Sequence, residues 1–380
     1  MAEKMKTEAP KAKKLADAEA ATIDPASQQM IQRAHELGVE TAFDRAVTLK
    51  PCNIGSQGIC CKNCGMGPCR LPLPTGGIEG EDTRKGICGA TPNTIAARNF
   101  IRMIAGGAAA HSDHGRSVAE VFMAAARKET DAYKIKDTKK LIEVAQVLGV
   151  DTTVAVDGEQ LDRDLDEIAV EVGEKALNEW GKAEGELLFA KRAPEPRYEL
   201  WKKQGVLPRN IDREIVEIMH RTHIGVDQDY KNLMKQGTRA AIADGWGGSM
   251  LATDLQDILF GTPYPLASEA NLGVMKEDMV NIVIHGHEPV LSEMIVAVAQ
   301  KPEIIEYAKK KGAKGIQLSG ICCTANEVLM RHGLPIAGNY LQQELAIVTG
   351  ACDAMVVDVQ CVFQNLANVA KCFHTKLITT

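Results

Sequence analysis

Six of the eleven cysteines in this 380-residue chain fall within residues 52–88, close enough to act together as metal ligands. They are Cys52, Cys60, Cys61, Cys64, Cys69 and Cys88. Thiolates are soft ligands, and four of them can hold zinc or an iron–sulfur cluster. The intervening glycines, among them Gly65 and Gly67, let the backbone fold closely around a buried anionic group and direct N–H groups toward it. The stretch therefore predicts a metal or cluster site.

Four of these cysteines make a compact ligand set. Cys61, Cys64 and Cys69 follow one another at x2 and x4 spacings, and Cys88, in the sequence Gly-Ile-Cys-Gly, can supply a fourth thiolate. Structural zinc sites usually contain two short cysteine pairs, whereas here the first three ligands are crowded. Zinc would also leave two of the six cysteines unused.

Cys52 and Cys60 therefore require a separate explanation. Because the side chains of neighbouring residues point in different directions, Cys60 and Cys61 do not readily bind one metal centre. Cys60 is expected to face elsewhere, together with Cys52. Two thiolates are half of a cluster, and two copies of the chain related by a two-fold axis would supply the other half. A disulfide or a pair of inert buried thiols would also account for these two cysteines.

A second group of potential ligands follows three predicted strands. The strands cover residues 280–284, 314–319 and 353–359, and the segments after them contain His287, Cys323 and Cys361. In an open parallel sheet, ligands bind beyond the carboxyl ends of the strands, so these side chains would converge. We predict a metal centre there, with Cys322 as the alternative to Cys323. His285 precedes His287 and is interpreted as a group that orients it.

The elements that carry these groups predict an α/β protein with two domains. Residues 1–22 are polar and predict a flexible tail, and residues 23–245 contain long segments with helical periodicity. One helix is predicted to start at Asp24 and Pro25, and a closely packed buried helix from residue 93. In residues 246–380, apolar strands alternate with helices, and a fourth strand is predicted from residue 376. We therefore predict a mostly helical N-terminal domain that holds the cysteine-rich stretch, followed by a Rossmann-like domain with a parallel sheet.

The composition argues against a nucleic-acid-binding or membrane-spanning protein. The net charge is −6 and aromatic residues make up only 4% of the chain, so the basic stripes and stacking surfaces of nucleic-acid-binding proteins are lacking. No apolar run reaches the length of a membrane span, and the polar N-terminus has no signal-peptide core. We therefore predict a cytoplasmic protein, and in that compartment clustered cysteines are more often metal ligands than disulfides.

Taken in order, these motifs resemble those of the nickel-containing carbon monoxide dehydrogenases of anaerobes, including the subunit associated with acetyl-CoA synthase. The matching sequences are Cys52-x7-Cys60-Cys61-x2-Cys64-x4-Cys69 with Cys88, Ala-His111-Ser-Asp-His114, Ile-His-Gly-His287-Glu-Pro, Gly-Ile-Cys-Cys323-Thr and Val-Asp-Val-Gln-Cys361. The resemblance implies a homodimer whose subunits contain a helical domain and two Rossmann-like domains. An acetyl-CoA synthase partner is compatible with it.

The resemblance also implies the cofactors and the reaction. A [4Fe–4S] cluster would be held by Cys61, Cys64, Cys69 and Cys88. An Fe–S cluster shared across the dimer axis would be held by Cys52 and Cys60, and a Ni–Fe–S active-site cluster by His287, Cys323 and Cys361. The family reaction interconverts carbon monoxide and water with carbon dioxide, two protons and two electrons. The electrons would leave through the two Fe–S clusters to a ferredoxin-like carrier.

Two histidines resemble the proton-transfer residues of this family. His111 corresponds to the acid/base histidine beside the active cluster, and His114 follows it at a three-residue spacing. Family members often continue this spacing with further histidines, whereas the next positions here are Ser117 and Glu120. Glu120 and water are the substitutes for a longer histidine relay.

The remaining family ligands, a catalytic lysine and the last domain would lie beyond the position of Thr380. We therefore expect an N-terminal portion of a longer protein, inactive toward carbon monoxide by itself. Two alternatives stay open. One is a hybrid-cluster protein resembling hydroxylamine reductases, and the other is a non-catalytic Fe–S module for electron transfer.

Overall fold

A computed structural model describes residues 14–153, 163–224, 226–264 and 266–380. In chain order, the α-helices of these residues are α1 (Ala18–Ala21), α2 (Pro25–Glu36), α3 (Ala42–Thr48), α4 (Pro92–Ala126), α5 (Thr138–Leu148), α6 (Leu165–Gly181), α7 (Glu195–Gln204), α8 (Ile211–Arg221), α9 (Tyr230–Ile242), α10 (Met250–Phe260), α11 (Pro289–Ala299), α12 (Pro302–Lys310), α13 (Cys322–His332), α14 (Gln343–Val348) and α15 (Leu366–Ala370). The strands are β1 (Cys60–Cys61), β2 (Cys69–Arg70), β3 (Val280–His285), β4 (Ile316–Ile321), β5 (Ile336–Gly338), β6 (Ala354–Val357) and β7 (Lys376–Thr379).

Two compact units divide the chain. Residues 51–263 form one, here called the helical unit, and residues 14–50 together with 264–380 form the other, the sheet unit. This division differs from the predicted one, in which residues 23–245 formed the helical domain. The helical unit continues past residue 245 through α10, and the N-terminal helices belong to the sheet unit.

The helical unit is built around α4, whose 35 residues contact α6, α8, α9 and α10. The helix begins where Thr91 Oγ1 accepts the N–H of Thr94 at 3.3 Å, with Pro92 in the first turn. Its many small residues allow close packing, since a Cβ added at Gly115 would lie 2.7 Å from the carbonyl oxygen of Gly248. The buried helix predicted from residue 93 is confirmed, and it carries His111 and His114.

A π-helical segment joins α9 to α10 within the same unit. It spans Ala243–Ser249 and packs against α4. The sequence predicted a change from helices to strands near Gly245-Trp-Gly-Gly. Instead, the helical path continues as a π-helix, and Gly248 lets it approach α4 closely.

The sheet unit contains a parallel sheet with the strand order β5-β4-β3-β6-β7. From β3 the strands follow the chain to β4 and β5 on one side, and β6 and β7 then continue the sheet on the other side of β3, as in doubly wound Rossmann-like sheets. Strands predicted at residues 280–284, 314–319, 353–359 and from 376 all form, so the predicted α/β class is confirmed. The three-residue β5 was not predicted, because so short a strand leaves no periodicity in the sequence.

Residues 14–50 are folded onto the sheet unit. Ile31 and Ala34 of α2 are fully buried in the same apolar core as Leu345. The N–H of Ala16 donates to Asp44 Oδ1 at 2.9 Å. Residues 14–22, predicted to be part of a flexible tail, are therefore ordered by packing, whereas residues 1–13 lie outside the described residues.

The helix predicted to start at Asp24 and Pro25 is confirmed as α2. Asp24 accepts the N–H of Ser27 at 3.0 Å, and Pro25 occupies the first turn. Farther along the segment, Arg45 Nη2 lies 2.6 Å from Glu344 Oε1, which joins this helical region to α14.

In the described part of the chain, no helix combines the length and apolarity that crossing a membrane would require. The cytoplasmic location stays a prediction.

Candidate metal centres

Four cysteines surround one cavity in the helical unit, here called the four-cysteine site. Its thiols belong to Cys61, Cys64, Cys69 and Cys88. Cys61 and Cys69 face each other across the antiparallel pair β1 and β2, which brings the first and third ligands together. Cys88 approaches from the loop that precedes α4. The structure thus brings together the four thiols that the spacing grouped.

Glycines let the backbone pass close to the cysteines of the four-cysteine site. A Cβ added at Gly67 would lie 3.1 Å from the carbonyl oxygen of Cys61, and one added at Gly86 would lie 3.4 Å from Cys69 Sγ. The N–H of Ile87 also donates to Cys69 Sγ at 3.4 Å. Small residues and N–H donors beside thiols suit an anionic iron–sulfur cluster, so the residues present fit the predicted cofactor.

The Cys88 thiol lies beside a guanidinium. Arg98 Nη1 donates to Cys88 Sγ at 3.8 Å. Burial by itself would raise the pKa of Cys88, but the backbone N–H of Ala90 and the Arg98 guanidinium outweigh burial and lower the pKa. The thiolate that binds metal is therefore favoured.

Cys52 and Cys60 are placed differently from the other four. Cys60 pairs with Arg70 in the β1–β2 ladder, and Asn99 Nδ2 donates to its carbonyl oxygen at 3.0 Å. Cys52 is exposed, and the backbone N–H groups of Gly55 and Ile54 lower the pKa of its thiol. All eleven cysteines are free, so these two form no disulfide. The exposure of Cys52 also disfavours an inert buried pair.

His111 of α4 contacts a carboxylate from the π-helical segment. Its Nδ1 lies 2.7 Å from Asp244 Oδ1 and 3.3 Å from Ser249 Oγ. The hydrogen bond to Asp244 raises the pKa of His111, although partial burial opposes the shift. Sequence reasoning did not find Asp244, although the glycine-rich stretch that follows it marked the segment as unusual.

His114 and Glu120 lie farther along the same helix. His114 Nε2 lies 3.4 Å from Nε2 of the buried Gln256. Glu120 Oε1 pairs with Arg116 Nη1 at 2.5 Å, and both side chains are exposed. This ion pair makes Glu120 a poor substitute for a further histidine.

The second predicted group of ligands converges in the sheet unit. His287, Cys323 and Cys361 line one cavity of about 430 Å³, here called the sheet-edge site. The cavity lies beyond the carboxyl ends of β3, β4 and β6, and β3 pairs directly with β6 through His285 and Val357. It therefore sits where the chain order of the sheet reverses, the position at which such sheets bind ligands.

Cys322 also lines the sheet-edge site, so the structure keeps both cysteines as possible ligands. Its backbone is left-handed, with φ of 67°. Burial, together with the nearby Cys361 and Cys323 thiols, raises the pKa of Cys322 to about 12. Burial also raises the pKa of Cys323, which is the more exposed of the two.

Asp358 holds the loop that carries His287. Its Oδ1 accepts the N–H of His287 at 2.6 Å and its Oδ2 accepts the N–H of Glu288 at 2.9 Å. A Cβ added at Gly286, whose φ is +134°, would lie 1.6 Å from Asp358 Oδ1, so only glycine fits there. The carboxylate that follows β6 thereby fixes the loop that follows β3.

Gln343 makes a second connection beneath the sheet-edge site. This fully buried residue accepts from Phe363 N–H at 2.7 Å and donates to the Cys361 carbonyl oxygen at 2.9 Å. Its Oε1 also lies 3.0 Å from His285 Nε2. His285 therefore points to Gln343 rather than lining the cavity, and burial lowers its pKa so that the neutral ring is favoured.

Among the described residues, no three His, Cys, Asp or Glu side chains are placed to bind a single metal ion. The ligands of a polynuclear cluster bind different metal atoms, so they surround a volume rather than converge on one point. Both cysteine-lined cavities have that form.

The chain matches the Prismane/CO dehydrogenase family over residues 59–380. It is 54% identical over 361 residues to carbon monoxide dehydrogenase 1 of Methanosarcina acetivorans, covering 94% of this chain and 55% of that protein. It is 46% identical over 363 residues to the carbon monoxide dehydrogenase/acetyl-CoA synthase subunit beta of Moorella thermoacetica, covering 94% and 52%. The chain thus spans about half the length of the curated relatives that it matches.

The fold is also similar to a solved structure. A Ni-free crystal structure of carbon monoxide dehydrogenase from Thermococcus sp. AM4 aligns with a TM-score of 0.88 at 49% identity. The alignment covers 100% of this chain and 57% of that one.

Proposed function

Because this chain belongs to the Prismane/CO dehydrogenase family, we propose that its protein is a nickel-dependent carbon monoxide dehydrogenase. The reaction would convert carbon monoxide and water to carbon dioxide, two protons and two electrons, reversibly. The observation that carries this proposal is the convergence of His287, Cys323 and Cys361 on the sheet-edge site. These are the residues that the resemblance assigns to the active-site cluster.

The residues of the sheet-edge site would hold a Ni–Fe–S cluster. When bound, that cluster would supply a soft metal for carbon monoxide and a Lewis acid for water. The chain itself orients the ligands: Asp358 fixes the backbone of His287, and Gln343 fixes the backbone of Cys361. Such preorganisation keeps ligands in place when the cluster changes charge.

His111 is the proposed residue for holding and releasing a proton. Its hydrogen bond to Asp244 orients the ring and stabilises the imidazolium form. A histidine that can hold and release a proton suits a reaction that produces two protons.

The four-cysteine site and the Cys52–Cys60 pair would carry the two electrons. We assign a [4Fe–4S] cluster to the four-cysteine site and half of a dimer-shared cluster to Cys52 and Cys60. The exposure of Cys52 fits a ligand that meets a second subunit. A ferredoxin-like protein is the proposed electron acceptor. The name of the Moorella relative makes an acetyl-CoA synthase subunit a further candidate partner.

His287→Ala tests the proposed function in the protein isolated anaerobically as its gene encodes it. We expect loss of carbon monoxide oxidation, because a ligand of the reacting cluster is missing, with retention of the iron bound by the helical unit. His220→Ala is the matched control, since His220 is an exposed histidine on α8. Dye reduction under carbon monoxide measures activity. Undiminished activity of the His287→Ala protein would place the reaction elsewhere.

Dye reduction under carbon monoxide also distinguishes the proposed function from the two alternatives. The reported relatives are carbon monoxide dehydrogenases by name, which favours that reaction over hydroxylamine reduction. A non-catalytic electron-transfer module would give reversible cluster reduction by dithionite but no reduction by carbon monoxide.

A further inference from the structure

Arg98 is a buried cation at the wall of the four-cysteine site. It lies on α4, is only 1% exposed and lines the same cavity as the four thiols. Its Nη1 donates to Cys88 Sγ at 3.8 Å and its Nη2 donates to the carbonyl oxygen of Asp227 at 3.2 Å. Its Nε is buried and has no hydrogen-bond partner among the described residues.

The carboxylate of Asp227 does not neutralise this guanidinium. Asp227 offers Arg98 its carbonyl oxygen, whereas its own carboxylate lies 3.5 Å from Arg221 Nη1. A buried arginine without a paired anion is strongly destabilising, so native proteins supply one. The Cys88 thiol, which binds metal as the anionic thiolate, is the ligand that Arg98 contacts.

We propose that Arg98 compensates the negative charge of the cluster in the four-cysteine site and raises its reduction potential. The inference rests on the cluster assigned under the proposed function, but not on the carbon monoxide reaction. Reduction adds one electron, so a fixed positive charge stabilises the reduced form more than the oxidised form. Net charge and hydrogen bonds to sulfur are established determinants of cluster potentials.

Contacts of α4 also fix the position of the Arg98 guanidinium. Thr94, one turn earlier on α4, donates from Oγ1 to the Gln228 carbonyl oxygen at 2.9 Å. Together with the bond from Arg98 to Asp227, this fixes α4 against the segment that precedes α9. The guanidinium is thereby held toward Cys88 and cannot turn freely to solvent.

Arg102 offers a matched control on the same helix. It lies one turn after Arg98 and also connects α4 to the end of α8, donating from Nε to Thr222 Oγ1 at 2.7 Å. It does not line the four-cysteine site. Arg102→Gln therefore removes a comparable helix contact without removing a charge beside the thiols.

The test compares Arg98→Gln, Arg98→Lys and Arg102→Gln in the anaerobically isolated full protein. Iron and sulfide contents and the midpoint potential of the four-cysteine cluster, from titrations followed by electron paramagnetic resonance, are the readouts. We expect Arg98→Gln to shift the potential to more negative values. Arg98→Lys, which keeps the charge, and Arg102→Gln should stay close to the unsubstituted protein.

Loss of the cluster in Arg98→Gln, with retention in Arg98→Lys and Arg102→Gln, would also support charge compensation. An unchanged potential in Arg98→Gln, or equal loss of the cluster in all three variants, would overturn it. Unsubstituted protein without iron in this site would contradict both the inference and the cluster assignment. A normal cluster with no carbon monoxide oxidation would contradict the proposed reaction alone.

Discussion

A carboxylate 2.7 Å from Nδ1 stabilises the charged imidazolium of His111, and this contact is the main reason that its pKa is raised. The partner comes from a segment more than a hundred residues away in sequence, and the π-helical geometry of Ala243–Ser249 directs it at α4. A proton-transfer residue thus depends on a neighbour that no local motif contains.

Asp244→Asn should lower the pKa of His111, because an amide cannot stabilise the imidazolium as a carboxylate does. In carbon monoxide oxidation His111 accepts a proton only when neutral, so the rise of the rate with pH should move to lower pH. The pH–rate profile measures this shift. Ser249→Ala is the control, since it removes a neutral contact to the same nitrogen and should move the profile much less. An identical profile for Asp244→Asn would exclude His111 as the titrating group.

For single residues, the sequence predicted those side chains whose function depends on their spacing along the chain. The thiols at 61, 64, 69 and 88 fall within one short stretch, and His287 directly follows an apolar strand. Asp244, Asp358 and Gln343 were not predicted, because a carboxylate or an amide is ordinary in sequence. The function of each of these three side chains depends on the groups that folding brings beside it.

Helix α4 is the element that holds the most site residues in place. Its Asn99 reaches the β1–β2 hairpin, its Arg98 reaches Cys88, and its His111 meets the π-helical segment. Close approach of that segment depends on Gly115, where an added Cβ would lie 2.7 Å from the Gly248 carbonyl oxygen and 2.9 Å from Trp180. Neither neighbour can give way easily.

Gly115→Ala should therefore destabilise the protein by about 1–3 kcal/mol, the usual cost of overpacking. Gly107→Ala on the same helix is the matched control, because no atom lies within 4 Å of its added Cβ. Because alanine loses less conformational entropy on folding than glycine does, that variant should be as stable as the unsubstituted protein or more stable by up to about 1 kcal/mol. Denaturant unfolding under anaerobic conditions measures both. Equal stabilities of the two variants would contradict the close packing of α4 against the π-helical segment.

Helix α14 has a comparable function in the sheet unit through Gln343. Gln343→Glu keeps the shape of the side chain but removes the N–H groups that donate to the carbonyl oxygens of Cys361 and Tyr340. Each buried group left unpaired costs about 1–3 kcal/mol. We expect lower stability and less nickel in the isolated protein, whereas the exposed control Gln364→Glu should retain both. Full nickel content in Gln343→Glu would show that the loop of Cys361 does not need this support.

Most elements were predictable, and the exceptions have physical reasons. Long helices and apolar strands have clear periodicity, so α2, α4 and the main parallel strands were predicted. The π-helical segment was interpreted as a boundary because strands alternate with helices in the sequence after it, and only its packing against α4 explains why the helix continues here.

On the scale of the whole molecule, the sheet unit combines residues from both ends of the chain. Ile31 and Ala34 pack in a core that also contains Leu345 and Ile347, some three hundred residues later, and Arg45 pairs with Glu344 across a similar separation. Sequence patterns report local periodicity, not which distant segment covers an apolar face. The N-terminal helices were consequently assigned to the helical domain.

The proposed dimer gives a prediction at the same scale. Cys60→Ser should lose the iron of one cluster per two chains, keep the cluster of the four-cysteine site and weaken dimerisation. Iron analysis and sedimentation velocity measure these effects. Cys372→Ser is the control, because Cys372 is an exposed cysteine outside both candidate centres. Unchanged iron in the Cys60→Ser protein would contradict a shared cluster.

The most direct test of the account is the metal content of the anaerobically isolated protein. Iron, acid-labile sulfide, nickel and zinc are measured together with the visible spectrum. The account predicts a brown protein that contains iron and sulfide in near-equal amounts, together with nickel. A colourless protein without iron, or one that holds zinc in place of iron, would contradict it.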